Sequence, residues 1–146
     1  MSEPNLSQNK TKKIKLDFKD SKHATGRRKR SIARVWLKKG SGNIHVNGLK
    51  MNEYFKRPVH QIIVTRPLEI SQVASNYDVK CSVKGGGLSG QAGAIILGIS
   101  KALIAHDENL KKNLKKDKLT TRDSRVVERK KYGHRKARRS FQFSKR

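Results

Sequence analysis

The segment with the clearest chemical pattern is a glycine-rich loop at residues 85–90, Gly-Gly-Gly-Leu-Ser-Gly. It matches G-x-G-x-x-G between a predicted strand and a predicted helix, which is the context of a dinucleotide-binding loop. That fold also needs an acidic residue about 20 positions further on, at the end of a second parallel strand. Asp107 and Glu108 stand instead at a predicted helix end, followed by lysine-rich sequence. The glycines therefore indicate either close approach to a phosphate or a tight turn from strand to helix.

Two dense basic runs, residues 27–30 and 129–139, are the strongest sign of a polyanionic partner. Residues 129–146 contain nine basic side chains and no acidic one. A charge run is often only a solvated face, but this density, next to Tyr132, Phe141 and Phe143, favours nucleic acid. Arginine makes forked hydrogen bonds to phosphate and aromatic rings stack on bases. The alternative for Phe141 and Phe143 is that they fill a crevice in a protein.

The composition fits a small folded centre between basic arms. The 146 residues are enough for one domain and carry 36 Lys and Arg against 11 Asp and Glu, a net charge of +25. Residues 1–39 hold 13 basic and 3 acidic side chains, residues 40–110 hold 7 and 5, and residues 111–146 hold 16 and 3. Such an excess of one sign repels itself in a compact chain. We therefore expect a mobile basic arm at 1–23, a globular domain at 24–128 and an extended basic tail at 129–146.

Other classes of function find little support. The single cysteine, Cys81, excludes an internal disulfide and a cysteine metal cluster, and fits a reducing compartment. No run of 18 apolar residues predicts a transmembrane helix, and the N-terminal segment resembles neither a secretory signal nor a mitochondrial transit peptide. The five histidines lack metal-ligand spacing, so we expect them to be solvated or near phosphate. The sequence predicts no enzyme, no cofactor and no metal.

Hydrophobic periodicity places these segments on secondary structure. Alternating residues predict four strands, and Lys39–Gly42 is expected to be a hairpin loop between the first two. A short helix is expected from Leu49 to Phe55, and another from Val59 that breaks near Thr65 because Pro67 disfavours helical geometry before it. Leu110 and Leu114 either continue the last helix or begin another. The predicted strands are 33–38, 43–47, 77–84 and 125–132, and the best predicted helix is 91–106.

Five segments together resemble a known family, bacterial-type small-subunit ribosomal proteins of the S9 family. In chain order they read ATGRRKRSIARV, VTRPLEI, VKGGGLSGQAGAI, TRDSRVVERKKYG and RKARRSFQFSKR, and they cover about residues 24–146. The resemblance implies a two-layer α+β fold, with a four-stranded sheet, helices on one face, a left-handed crossover and extended basic arms. The general rule for such crossovers favours the right-handed form.

The resemblance also implies a function. The chain would be a structural, non-enzymatic constituent of the small ribosomal subunit in the cytoplasm, bound to rRNA in the subunit head beside neighbouring ribosomal proteins. The sequence leaves open whether the ribosome is bacterial or organellar. Its C-terminal tail would reach tRNA at the peptidyl site through Ser144, Lys145 and Arg146. The expected rRNA contacts are Arg27, Arg28, Lys29, Arg30, Lys84, Gly85, Gly86, Gly87, Arg129, Lys130, Lys131, Arg135, Lys136, Arg138 and Arg139.

Two alternatives come from other classes. Small-molecule kinases of the galactokinase and homoserine kinase type have a similar fold and phosphate loop, but this chain has Gly90 and Gln91 where those enzymes carry serines. It also lacks their second domain. A free basic regulator or nucleoid-type protein would share the charge pattern, and would occur as a soluble pool outside ribosomes.

The distribution of apolar residues predicts which parts fold without RNA. The apolar stripes lie within residues 32–114, so amide exchange of the free protein should show protection there and fast exchange in both arms. Strong protection across residues 135–146 in the absence of RNA would contradict this division.

Overall fold

In the computed structural model, which describes residues 18–145, all strands and helices lie before residue 117. Most of the predicted N-terminal arm, residues 1–17, lies outside the described residues; its last two residues open the first strand. The elements are β1 (Lys22–Arg28), β2 (Ser31–Lys39), β3 (Ile44–Val46), β4 (Leu49–Lys50), α1 (Met51–Tyr54), α2 (Pro58–Ile70), β5 (Tyr77–Lys84), α3 (Leu88–His106), a 3-10 helix (Glu108–Leu110) and α4 (Lys111–Lys116).

The strands form one mixed sheet in the order β1-β2-β5-β3-β4. β2 is antiparallel to both β1 and β5, whereas β3 is parallel to β5 and is connected to it through β4, α1 and α2. Helix α3 packs against β1 and β2, so the predicted two-layer α+β fold is confirmed. The sheet has five strands rather than four, because the two-residue β4 adds an edge.

The loop at residues 39–42 is not the predicted hairpin, because β5 lies between β2 and β3. The Asp78 carboxylate, at the start of β5, accepts hydrogen bonds from the backbone N–H groups of Ser41 at 3.0 Å and Asn43 at 2.8 Å. These bonds fix the loop where it passes the N-terminal end of β5. The hairpin in this region is instead β1–β2, closed by Lys29 and Arg30, with Lys29 at a φ of 50°.

The predicted strand at 125–132 is wrong, since that segment has no regular secondary structure. Its adjacent valines, Val126 and Val127, do not alternate with polar residues and are 59% and 83% exposed, so no buried face favours a strand. The sheet gains β1 instead, which the sequence analysis did not predict. Its inward positions hold the small residues Ala24 and Gly26, which give almost no hydrophobic signal.

The core lies between the sheet and α3. Alternate residues of β2 and β5 are buried, as predicted, and face the apolar side chains of α3. Burial raises the pKa of the Cys81 thiol, which therefore stays protonated and unreactive inside the core. The largest buried side chains are Phe55, Leu37, Leu68, Ile95, Ile99, Leu103 and Leu114.

Helix α3 is long and apolar enough to cross a membrane by length and composition, with a mean hydropathy of 1.5. The criterion of 18 consecutive apolar residues overlooked it, because glycines, serines and a lysine interrupt the run. Eleven of its residues are buried within the domain. Its composition is thus also that of a core helix that packs on a sheet and on a second helix.

Helix α2 is continuous through Pro67, so the predicted break near Thr65 is wrong. Val64, Pro67 and Leu68 are all buried, and this packing offsets the lost backbone hydrogen bond and the clash that a proline causes inside a helix. The proline lies in the last turn, and the helix ends three residues later at Ile70, followed by the capping residue Ser71.

Helix α3 approaches the backbone of β1 without side chains between them. A Cβ atom added at Gly26 would overlap the carbonyl oxygen of Ala94 and lie 2.5 Å from the amide nitrogen of Gly98. A Cβ at Gly98 would lie 2.5 Å from a methyl carbon of Val35. The closeness of the two layers therefore requires glycine at both positions.

We predict that Gly26→Ala lowers the free energy of unfolding by about 1–3 kcal/mol, because the added methyl group forces the layers apart. Urea unfolding of the free protein measures this loss. The matched control is Gly87→Ala, where nothing lies within 4 Å of the added atom. We expect that control to cost less than about 1 kcal/mol, since Gly87 only caps α3. Equal losses in the two variants would contradict the packing explanation.

Candidate nucleic-acid interface

The glycine loop joins β5 to α3 in a conformation that most residues avoid. Gly85 and Gly86 have φ angles of +73° and +65°, in the left-handed region. A Cβ atom at Gly85 would lie 2.6 Å from the carbonyl oxygen of Arg30, and one at Gly86 would overlap the Ser31 hydroxyl. Both glycines are thus required by the tight turn. Gly87, with a φ of −110° and open space around it, is not required for either reason.

The same contacts bring the first basic run against the loop. The Ser31 hydroxyl donates a hydrogen bond to the carbonyl of Gly85 at 3.0 Å, which joins the β1–β2 turn to the start of α3. Lys29 and Arg30 in that turn are exposed, as are Lys84 and Gly85–Gly87. The first N–H groups of α3 have no partner within the helix and carry partial positive charge. One end of the domain therefore combines these cations with helix N–H groups, an arrangement suited to phosphate.

Arg28 is positioned differently from its neighbours in the basic run. Its side chain passes over Gly93, where an added Cβ would collide with it, and its guanidinium lies 3.0 Å from the Asp123 carboxylate. Asp123 also accepts a hydrogen bond from Arg125 at 2.8 Å. Chiefly this bond, with the charge of Arg28 adding to it, holds the pKa of the Asp123 carboxyl well below its usual range. These contacts attach the start of the tail to the domain.

The segment from Arg122 to Lys145, which contains the tail and the residues leading into it, has no regular secondary structure and is mostly exposed. Near its middle, Glu128 accepts hydrogen bonds from Arg138 at 2.9 Å and pairs with Lys131 at 2.8 Å. Hydrogen bonds from these two side chains lower the pKa of the Glu128 carboxyl. A backbone hydrogen bond of 2.8 Å from Arg135 to Arg139 closes a turn in the same segment. The second basic run is thus folded back on itself rather than fully extended.

The aromatic residues of the tail are available for stacking. Tyr132 is fully exposed, Phe141 is 61% exposed and Phe143 is 89% exposed, so neither phenylalanine fills a crevice of this domain. The Arg135 guanidinium lies 5.3 Å from the centroid of the Phe141 ring. A stacked cation and ring of this kind present both a charge and a flat surface to RNA.

Two of the five histidines are not the solvated groups that the sequence analysis expected. His60 is buried, with Nε2 3.0 Å from the Ser89 hydroxyl, and His106 Nδ1 lies 3.2 Å from the Tyr77 hydroxyl. His60 therefore joins α2 to α3, and His106 joins α3 to β5. Within residues 18–145, no three His, Cys, Asp or Glu side chains are grouped so that they could hold a metal ion.

The sequence analysis did not identify a second basic surface as a candidate binding site. The side chains of β2 and β5 that point away from α3 include Arg34, Trp36, Lys38 and Lys80. The alternating pattern of both strands was itself the signal, because every second residue of a half-covered sheet faces outward. Only the charged runs were interpreted as binding residues, whereas these cations are spaced two residues apart and come from different strands.

The fold and the surface define a class: a small α+β protein whose exposed loops, sheet face and tail are basic. The dinucleotide fold is excluded at this point, because no strand follows α3 in the part of the chain that the structure describes. Residues 26–146 match the family model described as Ribosomal protein S9/S16. The chain therefore belongs to the S9 family of ribosomal proteins.

Membership of the family gives the general function. The protein is a structural constituent of the small ribosomal subunit, binds rRNA and has other ribosomal proteins as partners. Proteins of this family are typically structural rather than enzymatic. The match begins inside β1 and includes the glycine loop and the whole tail, so the surfaces described above all lie within it.

The glycine loop allows folding to be separated from RNA contact. Gly86→Val should cost about 1–3 kcal/mol of stability, because valine is strained at a positive φ and overlaps Ser31. Gly87→Val should retain the melting temperature yet weaken rRNA binding, since the side chain enters the space over the helix N–H groups. Thermal unfolding and filter binding to rRNA measure the two effects. If Gly87→Val binds rRNA with wild-type affinity, the loop only connects β5 to α3 and does not contact RNA.

Proposed function

We propose that this ribosomal protein holds rRNA of the subunit head with its glycine loop, β1–β2 turn and tail, and extends its C-terminal residues to tRNA at the peptidyl site. The observation that carries the proposal is that the tail is mostly exposed as far as Lys145 and has no acidic residue after Glu128. Acidic side chains near tRNA phosphates would oppose binding, and this segment contains none.

The geometry of the tail supports two roles along its length. Its base is attached through Arg28 and Asp123, and the segment from Glu128 to Arg139 is held in a turn by ion pairs. Residues 140–145 continue beyond this turn without regular structure, a length of about 20 Å when extended. We infer that the turn binds rRNA and that the segment beyond it reaches the tRNA.

The proposed rRNA contacts fall into two groups. At the end of the domain, the Ser31 hydrogen bond brings Lys29 and Arg30 close to Lys84 and the glycine loop, whereas the Arg28 guanidinium is paired with Asp123. Those of the tail surround the Glu128 ion pairs. The first group comprises Arg27, Arg28, Lys29, Arg30, Lys84 and Gly85–Gly87, and the second comprises Arg129, Lys130, Lys131, Arg135, Lys136, Arg138 and Arg139.

We also propose the division into a domain at 24–128 and a tail at 129–146, and a bacterial-type ribosome as the setting. The ion pair of Arg28 with Asp123 attaches the chain to the domain just before this boundary, whereas Glu128 pairs only with Lys131 and Arg138 of the tail, and both observations support a boundary between Asp123 and the tail. A free nucleic-acid-binding regulator is the alternative, and it predicts a protein pool outside ribosomes.

Removing the last three residues tests the tRNA contact. We predict that deletion of Ser144–Arg146 leaves assembly into the subunit nearly intact, because the remaining cations still hold rRNA. Peptidyl-site tRNA affinity should fall by about 1–2 kcal/mol, the size of a few charge-assisted hydrogen bonds. The log–log salt slope of tRNA binding should decrease in magnitude by about 1.4–1.8 for two lost phosphate contacts.

The matched control removes the same charge from the turn, as Arg135→Gln with Lys136→Gln. This variant should weaken rRNA binding and leave the tRNA affinity of assembled subunits unchanged. The measurement is tRNA binding to purified subunits at two salt concentrations. Equal tRNA affinities of full-length and truncated subunits at low salt would contradict the proposal and leave the tail as an rRNA anchor.

A further inference from the structure

The face of the sheet opposite α3 is not covered by helices of the described domain. Strand pairing aligns its residues in rows across the sheet: Arg27, Ile32 and Lys84 form one row, and Arg34 lies beside Ser82 in the next. A third row contains His23, Trp36, Lys80 and His45. Ile32, the second residue of β2, is 43% exposed and adds apolar surface to this face.

A cavity of about 230 Å³ opens on this face, and its lining has a mixed chemistry. Trp36 and Ile32 supply apolar surface, Arg34 and Lys84 supply positive charge, and Ser82 supplies a hydroxyl. His23 packs against the Trp36 ring at a centroid distance of 5.2 Å, and the Lys80 ammonium lies 5.9 Å from it. The indole is therefore held in place, beside a space that has both apolar and hydrogen-bonding walls.

The charged side chains on this face indicate which class of molecule it binds. Arg27, Arg34, Lys38, Lys80 and Lys84 point to this side of the sheet, against the single carboxylate of Asp78 in the same strands. Asp78 accepts hydrogen bonds from the loop at residues 41–43, so its charge is turned to the end of the sheet. The strands of this face thus carry five cations and one carboxylate, a balance complementary to phosphate rather than to an average protein surface.

The cavity is also continuous with the proposed rRNA surface. Lys84 lines it and directly precedes Gly85, and Ile32 is one residue from Ser31, which bonds to that glycine. Phe18, from the segment before β1, lies near Lys80 at 5.8 Å and is not among the residues that line the cavity. Among the described residues, only side chains of β2 and β5 line this cavity, so an RNA strand at the glycine loop can continue onto the sheet.

We propose that this face binds an unpaired RNA segment, with one base in the cavity against Trp36 and the neighbouring phosphates on Arg34 and Lys84. The segment must be unpaired because the bases of a duplex are stacked on each other and do not expose their flat faces. The site rests on the proposed function in that its ligand is rRNA, but it adds a base-binding surface to the loop and the tail.

Trp36 is the only tryptophan of the chain, so its fluorescence reports directly on the cavity. Titration of the full chain with an eight-nucleotide single-stranded oligoadenylate should quench this fluorescence, because a base stacks on the indole. A self-complementary RNA duplex of equal charge should bind, as measured by anisotropy of a labelled strand, with little quenching. Binding of the single strand without quenching, or equal quenching by the duplex, would overturn the proposal.

Substitutions in the cavity give an independent measurement. Trp36→Leu should weaken single-strand binding by about fivefold or more, the loss typical for one stacking ring, and Trp36→Phe should recover part of it. Arg34→Gln should reduce the magnitude of the salt slope by about 0.7. The Arg34→Gln variant keeps the proposal testable if Trp36→Leu fails to fold. The matched control is Lys101→Gln, an exposed cation on α3 in the other layer, which should retain quenching and near-wild-type affinity.

Binding to rRNA of the subunit head distinguishes this site from the general function. If the wild-type protein binds that rRNA and both cavity variants bind it with equal affinity, the sheet site is refuted and the proposed function stands. If the wild-type protein itself fails to bind, both are refuted. Weaker binding by both cavity variants, with Lys101→Gln unaffected, would support the site.

Discussion

The direct contact between α3 and β1 is the constraint on which the rest of the structure depends. Because Gly26 and Gly98 bring the two backbones together, α3 packs directly on β1 and β2, and α2 packs in turn against α3. A chain with only 34% hydrophobic residues builds a complete core in this way, and no second layer of helices is required. Within residues 18–145 no helix covers the opposite face of the sheet, where the cations of β2 and β5 point away from α3. Because α3 packs on one face of the sheet and strand residues alternate, the basic side chains of β2 and β5 lie on the other face.

The few acidic residues organise the domain locally rather than balance its charge. Asp78 holds the loop between β2 and β3, Asp123 attaches the start of the tail to Arg28, and Glu128 folds the tail around Arg138. Exposed ion pairs of this kind contribute little to stability individually. Their importance is geometric, since Asp123 and Glu128 each position a basic segment and Asp78 positions the loop before β3. The remaining excess of positive charge favours a polyanionic partner such as RNA.

The sequence predicts best where its periodicity is strong. Strand β5 was predicted with its observed bounds, and the apolar stripe of α3 located the central helix, because alternation and helical spacing reflect burial directly. β1 was missed because its inward-facing residues are small: Gly26, for example, allows α3 to approach the strand and gives no hydrophobic signal. The hairpin at residues 39–42 was wrong because a local glycine signal cannot show that β5, far along the chain, is inserted between β2 and β3. Pro67 was expected to break α2, but tertiary packing overrode the local preference.

The interface was predictable to a similar degree. Dense basic runs and the glycine loop are visible as residue types, yet their contact through Ser31 depends on strand pairing. The central claim, a ribosomal protein bound through its basic surfaces to small-subunit rRNA, is tested most directly by quantitative mass spectrometry across a ribosome sedimentation gradient. The account predicts one copy of this chain per small subunit in every subunit-containing fraction, with almost none at the top of the gradient. A predominantly free pool, or cosedimentation with DNA instead of the small subunit, would contradict it.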